Sequence, residues 1–188
     1  MKITVKPLTA GRWADFEAIF NARGCSVARG CWCMYYRHAA VLPPPPKGVT
    51  RAERAKKAMR TLVKGDTPPG LIGYQGSRPV GWISLGPRED FGYLARSRVM
   101  AKVDEKPVWS IVCFVVPSEY RNQGVAHELL RGAVEWARKR GVRRLEAYPV
   151  IEGESTWFGV QSMFTAAGFH EVARRKPDRP VMRLELAD

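Results

Sequence analysis

The run Ser110-Ile-Val-Cys-Phe-Val-Val116, leading directly into Pro-Ser-Glu-Tyr-Arg121-Asn-Gln-Gly124-Val-Ala126-His-Glu-Leu-Leu130, leaves few folds open. A short continuous apolar run closed by a proline reads as a strand buried on both faces. From Val125 onward the period changes. Ala126, Leu129, Leu130, Ala133 and Ala137 share one helical face, Arg138, Lys139 and Arg140 suit the negative end of the helix dipole, and Gly141 supplies a stop. Strand, short turn and amphipathic helix belong to the α/β class. The first helical turn is nearly bare of side chains, so its unpaired N–H groups and the positive dipole end converge on one point. An anion fits there, and a diphosphate is the commonest biological one. Gly124 lets a phosphate approach the backbone, Ala126 keeps the next turn low, and Arg121 offers forked donors.

The flanking sequence supplies the remaining elements. Ile3 to Val5 alternates as a first strand, and Thr9 is expected to cap a helix carrying Trp13, Phe16 and Phe20 and ending near Gly24. Thr50-Arg-Ala-Glu53 is a capping-box pattern that opens a second helix, with Ala55, Met59, Leu62 and Val63 inward and Arg51, Arg54, Lys57 and Lys64 outward. Gly70 to Tyr74 and Pro79 to Leu85 read as a hairpin about Gln75-Gly76-Ser77-Arg78. A helical insertion is expected over Phe91 to Met100. Arg144 to Val150 reads as a strand, Phe158 to Ala167 as a helix stopped by Gly168, and Phe169 to Ala173 with Val181 to Leu186 as a closing antiparallel pair.

Arg121-x-x-Gly124-x-Ala126 after an apolar strand, set in this order of elements, resembles the acyl-CoA signature of the GNAT (Gcn5-related) N-acetyltransferase superfamily. Met163-Phe-Thr-Ala-Ala-Gly168-Phe169 stands where that group carries a helix ending in Tyr-x-x-x-Gly-Phe, and the Pro79-Val-Gly-Trp-Ile-Ser-Leu strand is also similar to it. The run Gly30-Cys-Trp-Cys-Met-Tyr-Tyr-Arg-His38 looks like one bacterial branch. The resemblance covers essentially the whole chain. It implies a single domain over residues 1–188, a central mixed, mostly antiparallel sheet flanked by helices, and acetyl transfer from acetyl-CoA to an amine by direct attack. It also implies that Arg121, Asn122, Gln123, Gly124, Val125 and Ala126 hold the pyrophosphate, while the backbone of Phe114, Val115 and Val116 binds pantetheine beside a strand bulge.

Direct attack needs a base for the ammonium, a donor for the oxyanion and an acid for the departing thiolate. Where members of the superfamily that acetylate protein lysines carry a glutamate base, eleven residues before Arg121, this chain has Ser110, and where they carry a tyrosine acid it has Phe164. A water relay or an amine already partly neutral are the alternatives. Glu146 and Tyr148 share one face of a strand and are replacement candidates with Ser110. Glu89 and Asp90, at the head of the insertion, could reach the acceptor, or the insertion could simply pack Phe91, Leu94 and Val99 inward. By the resemblance, the segment between the first two helices borders the acceptor cavity, and Trp32, Met34, Tyr35 and Tyr36 either wall that cavity or pack beneath the loop. Cys113 reads as a small core residue.

Cys25, Cys31, Cys33 and His38 form a conceivable zinc set, but an extended Cys-x-Cys points its thiols to opposite faces and no second paired knuckle follows, so no metal is expected. Four cysteines without a secretory signal suit a reducing cytoplasm, and no run is long enough for a membrane span. Pro43 to Pro46 reads as a stiff spacer. The charge of +13 admits nucleic acid as a partner, although the basic residues are scattered and no nucleic-acid-binding motif accompanies them. A small-molecule or peptide amine is the expected acceptor, and a tRNA-bound amine would satisfy both signals. A non-catalytic acyl-CoA sensor is the competing class. The closing strand pair could also support a homodimer.

Overall fold

The computed structural model describes residues 3–38, 46–151 and 157–186. Strands β1 (Thr4–Pro7), β2 (Gly70–Gln75), β3 (Arg78–Pro87), β4 (Trp109–Val115), β5 (Arg144–Ala147), β6 (His170–Lys176) and β7 (Arg179–Glu185) form one sheet in the order β1-β2-β3-β4-β5-β7-β6. Only the β4–β5 pair is parallel. Helices α1 (Trp13–Asn21), α2 (Ser26–Cys31), α3 (Tyr35–His38), α4 (Arg51–Leu62), α5 (Gly92–Arg96), α6 (Val125–Lys139) and α7 (Gln161–Ala166) flank it. This is the α/β architecture, mixed and mostly antiparallel, that the resemblance implies.

Each sheet face carries its own core. On one, Phe16, Phe20, Trp32 and Trp82 interlock, with Phe16–Phe20 ring centroids 4.3 Å apart and Phe20 stacked on Trp32 at 5.3 Å. On the other, α6 lays Leu129, Leu130, Ala133 and Ala137 against Leu71, Ile83 and Leu145, all buried. Each fully buried leucine contributes about 1.5–3 kcal/mol relative to exposure. Gly132 lets α6 sit directly on β1, because a Cβ there would lie 2.4 Å from Val5 Cγ2.

Several local readings hold. Thr50 Oγ1 accepts from the Glu53 N–H at 3.1 Å while Glu53 Oε2 accepts from the Thr50 N–H at 2.7 Å, which closes the capping box. Gly76, at φ +60°, turns the β2–β3 hairpin. Other readings need correction. Thr9 makes no capping bond; a single 3-10 turn, Ala10–Arg12, precedes α1. The first strand starts at Thr4 rather than Ile3, whose side chain is buried. The insertion is helical only over Gly92–Arg96, because its last residues leave the helix to approach the end of β3, where Arg88 Nη2 donates to the Met100 carbonyl at 2.6 Å. The strand expected to reach Val150 ends at Ala147, and the helix expected from Phe158 starts at Gln161. The expected loop after α1 contains α2 and α3, separated by Trp32 and Cys33 in left-handed conformations. Residues 43–45 of the proline spacer and the side chain of His38 lie outside the described residues.

Candidate active site

The site is built where β4 outlasts its parallel neighbour. Pairing runs Trp109↔Leu145, Ser110↔Glu146 and Ile111↔Ala147, and there β5 ends. Immediately afterwards β4 bulges. Ser84 pairs with Cys113 while the next residue of β3, Leu85, pairs with Ile111, so Val112 is the extra residue. The bulge puts Val112 and Cys113 on the α1 face together and returns Phe114 to the α6 face. The sheet is thus split from Val112 onward, with cavities on both sides of the split.

On the α6 face lies a cleft of about 510 Å³. Its floor is the turn after β4, where Asn122 (φ +58°) and Gly124 (φ +79°) both adopt left-handed backbone and Gly124 forms the N-cap of α6. Successive N–H groups in such a turn make an anion-binding concavity, reinforced by the helix dipole. No atom stands within 4 Å of the position a Gly124 Cβ would take, so the approach is open. Seven of the nine residues expected to touch CoA line this cleft: Phe114, Val116, Arg121, Asn122, Gly124, Val125 and Ala126. The side chains of the other two do not. Val115 faces the α1 core, and Gln123 Nε2 is turned back to donate to the Glu119 carbonyl at 2.6 Å.

Two details differ from expectation. Arg121 does not hold its fork open: its Nε donates to the Val116 carbonyl at 2.9 Å and its Nη2 to the Gly24 carbonyl at 2.7 Å. It ties the end of α1 to the turn at the head of α6. The Phe114 N–H, the donor that faces the split, already donates to the Trp157 carbonyl at 2.6 Å. Tyr120, His127, Trp157, Gly159, Val160 and Met163 complete the cleft and were not anticipated. His127, in the first turn of α6, could have been found from helical position alone.

On the α1 face is a second cavity of about 260 Å³, which shares Trp157 with the cleft. Tyr35 and Tyr36 line it, as does Cys113, whose neighbour Phe114 lines the cleft. Adjacent β4 residues therefore address the two cavities. Trp32 does not line either: it is 3% exposed, stacked in the core, with Lys56 Nζ 4.9 Å from its ring centroid. Met34 is likewise buried. The residues missed were Val27, Ala28, Cys31, Cys33, Trp157 and Phe158. Cys33 Sγ accepts from Trp82 Nε1 at 3.0 Å. Burial raises the Cys33 thiol, but hydrogen bonds with Cys113, Trp82 and Ser84 outweigh it and hold Cys33 below the usual thiol range. The donating Cys113 thiol is pushed up. Among the described residues no three Cys, His, Asp or Glu side chains converge as a metal site.

Ser110, Glu146 and Tyr148 do come together, but inside the protein. Tyr148 donates to Glu146 Oε1 at 2.8 Å, and its single proton being used there, Ser110 Oγ donates to Tyr148 Oη at 2.8 Å. Arg88 Nη1 lies 3.3 Å from Glu146 Oε1, and Arg183 Nη2 2.8 Å from Glu146 Oε2. Arg183 continues to Asp104 at 2.6 Å. Glu146 is 1% exposed, and none of the three residues lines the cleft or the apolar cavity. Burial, then the adjacent Glu146 carboxylate, push the Tyr148 phenol far up, so it keeps its proton. A carboxylate clamped by two guanidiniums and a phenol is poorly placed to take a proton from a substrate. Glu89 likewise lines neither the cleft nor the apolar cavity and instead borders a hollow of about 70 Å³ beside Arg88. Its neighbour Asp90 pairs with Arg37 at 3.1 Å. Phe164 is fully buried against Phe114 and Phe169.

The fold is shared with solved acetyltransferases. The chain is similar to an N-acetyltransferase from Staphylococcus aureus Mu50, at 16% identity and TM-score 0.57 with both chains covered in full. It also resembles the ribosomal-protein-S18-alanine N-acetyltransferase of Escherichia coli (14% identity, TM-score 0.52, covering 100% of this chain and 96% of that one). A third likeness is the PaiA N-acetyltransferase of Thermoplasma acidophilum, solved in complex with coenzyme A (14% identity, TM-score 0.51, covering 98% and 99%). No curated protein matches the sequence. The profile described as the acetyltransferase (GNAT) family matches residues 34–155, which include the β4 bulge, the phosphate turn and the whole of α6. The chain belongs to the acetyltransferase (GNAT) family.

Proposed function

We propose that residues 1–188 work as one acyl-CoA-dependent N-acetyltransferase domain, moving acetyl from acetyl-CoA to an amine by direct attack in a ternary complex. The observation that carries this reading is the left-handed turn Asn122–Gly124, open at the head of α6 and adjoining the β4–β5 split. The pyrophosphate of CoA would sit on that turn, with pantetheine along Phe114 to Val116; coenzyme A is bound by the PaiA N-acetyltransferase whose fold this chain shares. The acceptor would enter from the α1 face. Its nitrogen lone pair attacks the thioester carbon, the C–S bond breaks, CoA takes up a proton, and the new amide nitrogen loses one. The Phe114 N–H would stabilise the oxyanion once the Trp157 carbonyl gives it up.

The Glu146 cluster serves this reading as a scaffold that fixes the end of β5, and no proton transfer is assigned to it. The exposed charges of edge strand β6, including Glu171, Arg174 and Lys176, disfavour edge-to-edge pairing of two copies. No helix among the described residues is long and apolar enough to cross a membrane. Cys25, Cys31, Cys33 and Cys113 are all free thiols, which suits action in a reducing cytoplasm. A groove of about 600 Å³ lined by Arg54 and Lys57, with Arg37 paired there to Asp90, keeps a polyanionic acceptor, such as a tRNA-bound amine, as the second reading.

Initial-rate measurement of CoA release at varied acetyl-CoA and amine tests the proposal. Amine-dependent release with intersecting double-reciprocal lines supports it. Parallel lines contradict direct attack, and acetyl-CoA binding without amine-dependent release would make the protein a sensor.

A further inference from the structure

The apolar cavity has a charge environment that limits which amines it can use. Its rings are Tyr35, Tyr36, Trp157 and Phe158, and among its described lining residues none is a carboxylate. The fixed charges felt by its phenols and thiols are positive. Arg179 stands with its guanidinium 4.0 Å from the Phe158 ring centroid and acts on Tyr36, while Arg37, which acts on Cys33, is itself paired with Asp90 at 3.1 Å. An aromatic cage can bind an ammonium through its ring faces, but here several of those faces are already in use. The guanidinium already covers a Phe158 face, and Tyr35, Tyr36 and Tyr93 pack on one another at 5.1–5.3 Å.

The cavity's own titratable groups offer no base. Burial pushes the Tyr36 phenol far up and the Cys31 thiol up to about 11. Tyr35 is raised by its hydrogen bond with Tyr93, and Cys113 by its bond to Cys33. Only Cys33 is moved toward ionisation, and its sulfur is already the acceptor for Trp82 Nε1. Glu146 lies outside the cavity between Arg88 and Arg183. Among the described residues a cationic acceptor would thus meet positive charge with no counter-ion or proton acceptor on the cavity wall. The volume, about 260 Å³, falls below the roughly 300–1,000 Å³ of ordinary ligand sites, so the bound portion is small.

We propose that the acceptor is an amine uncharged at neutral pH and borne on a single aromatic ring, an arylamine or arylhydrazine, rather than an alkylammonium. The inference rests on the transferase reading above and names the substrate class of its site. Such a nitrogen presents its lone pair without a base, attacks the thioester carbon, and releases its proton to water after the tetrahedral adduct forms. That matches a site with Ser110 and Phe164 where base and acid would stand.

The test compares two isomeric amines, para-toluidine and benzylamine, with the full-length protein and acetyl-CoA, reading CoA release. At neutral pH, kcat/KM for para-toluidine is expected to exceed that for benzylamine at least about tenfold, and to stay level between about pH 6 and pH 9. Benzylamine should gain with its own free-base fraction over the same range. Arg179→Gln should narrow the ratio at least about threefold by removing the nearest positive charge, and Phe158→Ala should raise KM for para-toluidine with acetyl-CoA affinity retained. Preference for benzylamine, an acid limb in the para-toluidine profile, or no turnover of either amine while acetyl-CoA binds would overturn the inference. Calorimetry with acetyl-CoA separates the levels: absence of binding removes the transferase reading itself, whereas binding with benzylamine preferred removes only the acceptor class.

Discussion

Replacing Glu146 by glutamine separates a structural carboxylate from a catalytic one. The side chain is 1% exposed and lies between Arg88, at 6% exposure, and Arg183, at 5%. Glutamine keeps the volume and removes the charge that neutralises two buried guanidiniums. Arg183 retains Asp104, but Arg88 retains only neutral acceptors, including the Met100 and Leu94 carbonyls. Breaking a buried ion pair by removing one partner costs about 3–5 kcal/mol. For a domain of 150–250 residues, each kcal/mol corresponds to about 2–4 °C in Tm, so a fall of roughly 6–20 °C is expected. Thermal unfolding followed by circular dichroism gives the shift, and acetyl-CoA affinity and turnover are then measured below both transitions. A scaffold role requires a large fall in Tm with turnover within about tenfold of the parent once the variant is folded. An unchanged Tm with turnover reduced by about a hundredfold or more would refute that role and make Glu146 the base.

Other perturbations probe separate parts of the molecule. Gly132→Val should cost about 1–3 kcal/mol or more by driving α6 off β1, seen as a lower midpoint in urea. Thr50→Ala removes both hydrogen bonds of the Thr50 hydroxyl and should lower stability by about 0.5–2 kcal/mol in the same assay, with acetyl-CoA affinity unchanged. The Asp104 carboxyl is held below the usual range by its hydrogen bond from Arg183, so its contribution is present above the ordinary carboxylate pKa and is lost as pH falls through the depressed value. Asp104→Asn should therefore lower Tm at neutral pH and flatten its decline on acidification. If the Trp157 carbonyl must release the Phe114 N–H, acetyl-CoA should change the fluorescence of the parent but much less that of Trp157→Phe.

Legibility followed the locality of the interactions. The phosphate turn and α6 were readable because strand, turn and helix are contiguous, and Gly124 has the left-handed backbone that such a turn favours. The capping box spans only Thr50 to Glu53 and was equally plain. Alternation placed Glu146 and Tyr148 on one face, but it could not show that Arg88, 58 residues before Glu146, and Arg183, 37 after it, close over them. The sequence leaves Trp32 open between the two roles because an aromatic residue in a segment between helices looks the same whether it walls a cavity or fills a core. Its left-handed backbone, which turns it inward onto Phe20, has no signature in a Trp-Cys pair. The contribution of Trp157 and Phe158 to the apolar cavity depends on the chain returning across the β4–β5 split, a tertiary event that no local pattern encodes.

The phosphate turn is probed without intermediaries by calorimetric titration of acetyl-CoA into the parent and into Gly124→Glu. A glutamate side chain has room there, since no atom stands within 4 Å of the position its Cβ would take. The left-handed backbone costs a non-glycine residue only about 1–2 kcal/mol, so the variant should fold. The introduced carboxylate would stand over the turn that receives the pyrophosphate. Saturable binding by the parent and none by the folded variant is the expected result. Equal affinity in the two proteins would mean that the cofactor is held somewhere other than at the head of α6, and the reading of the site would fall with it.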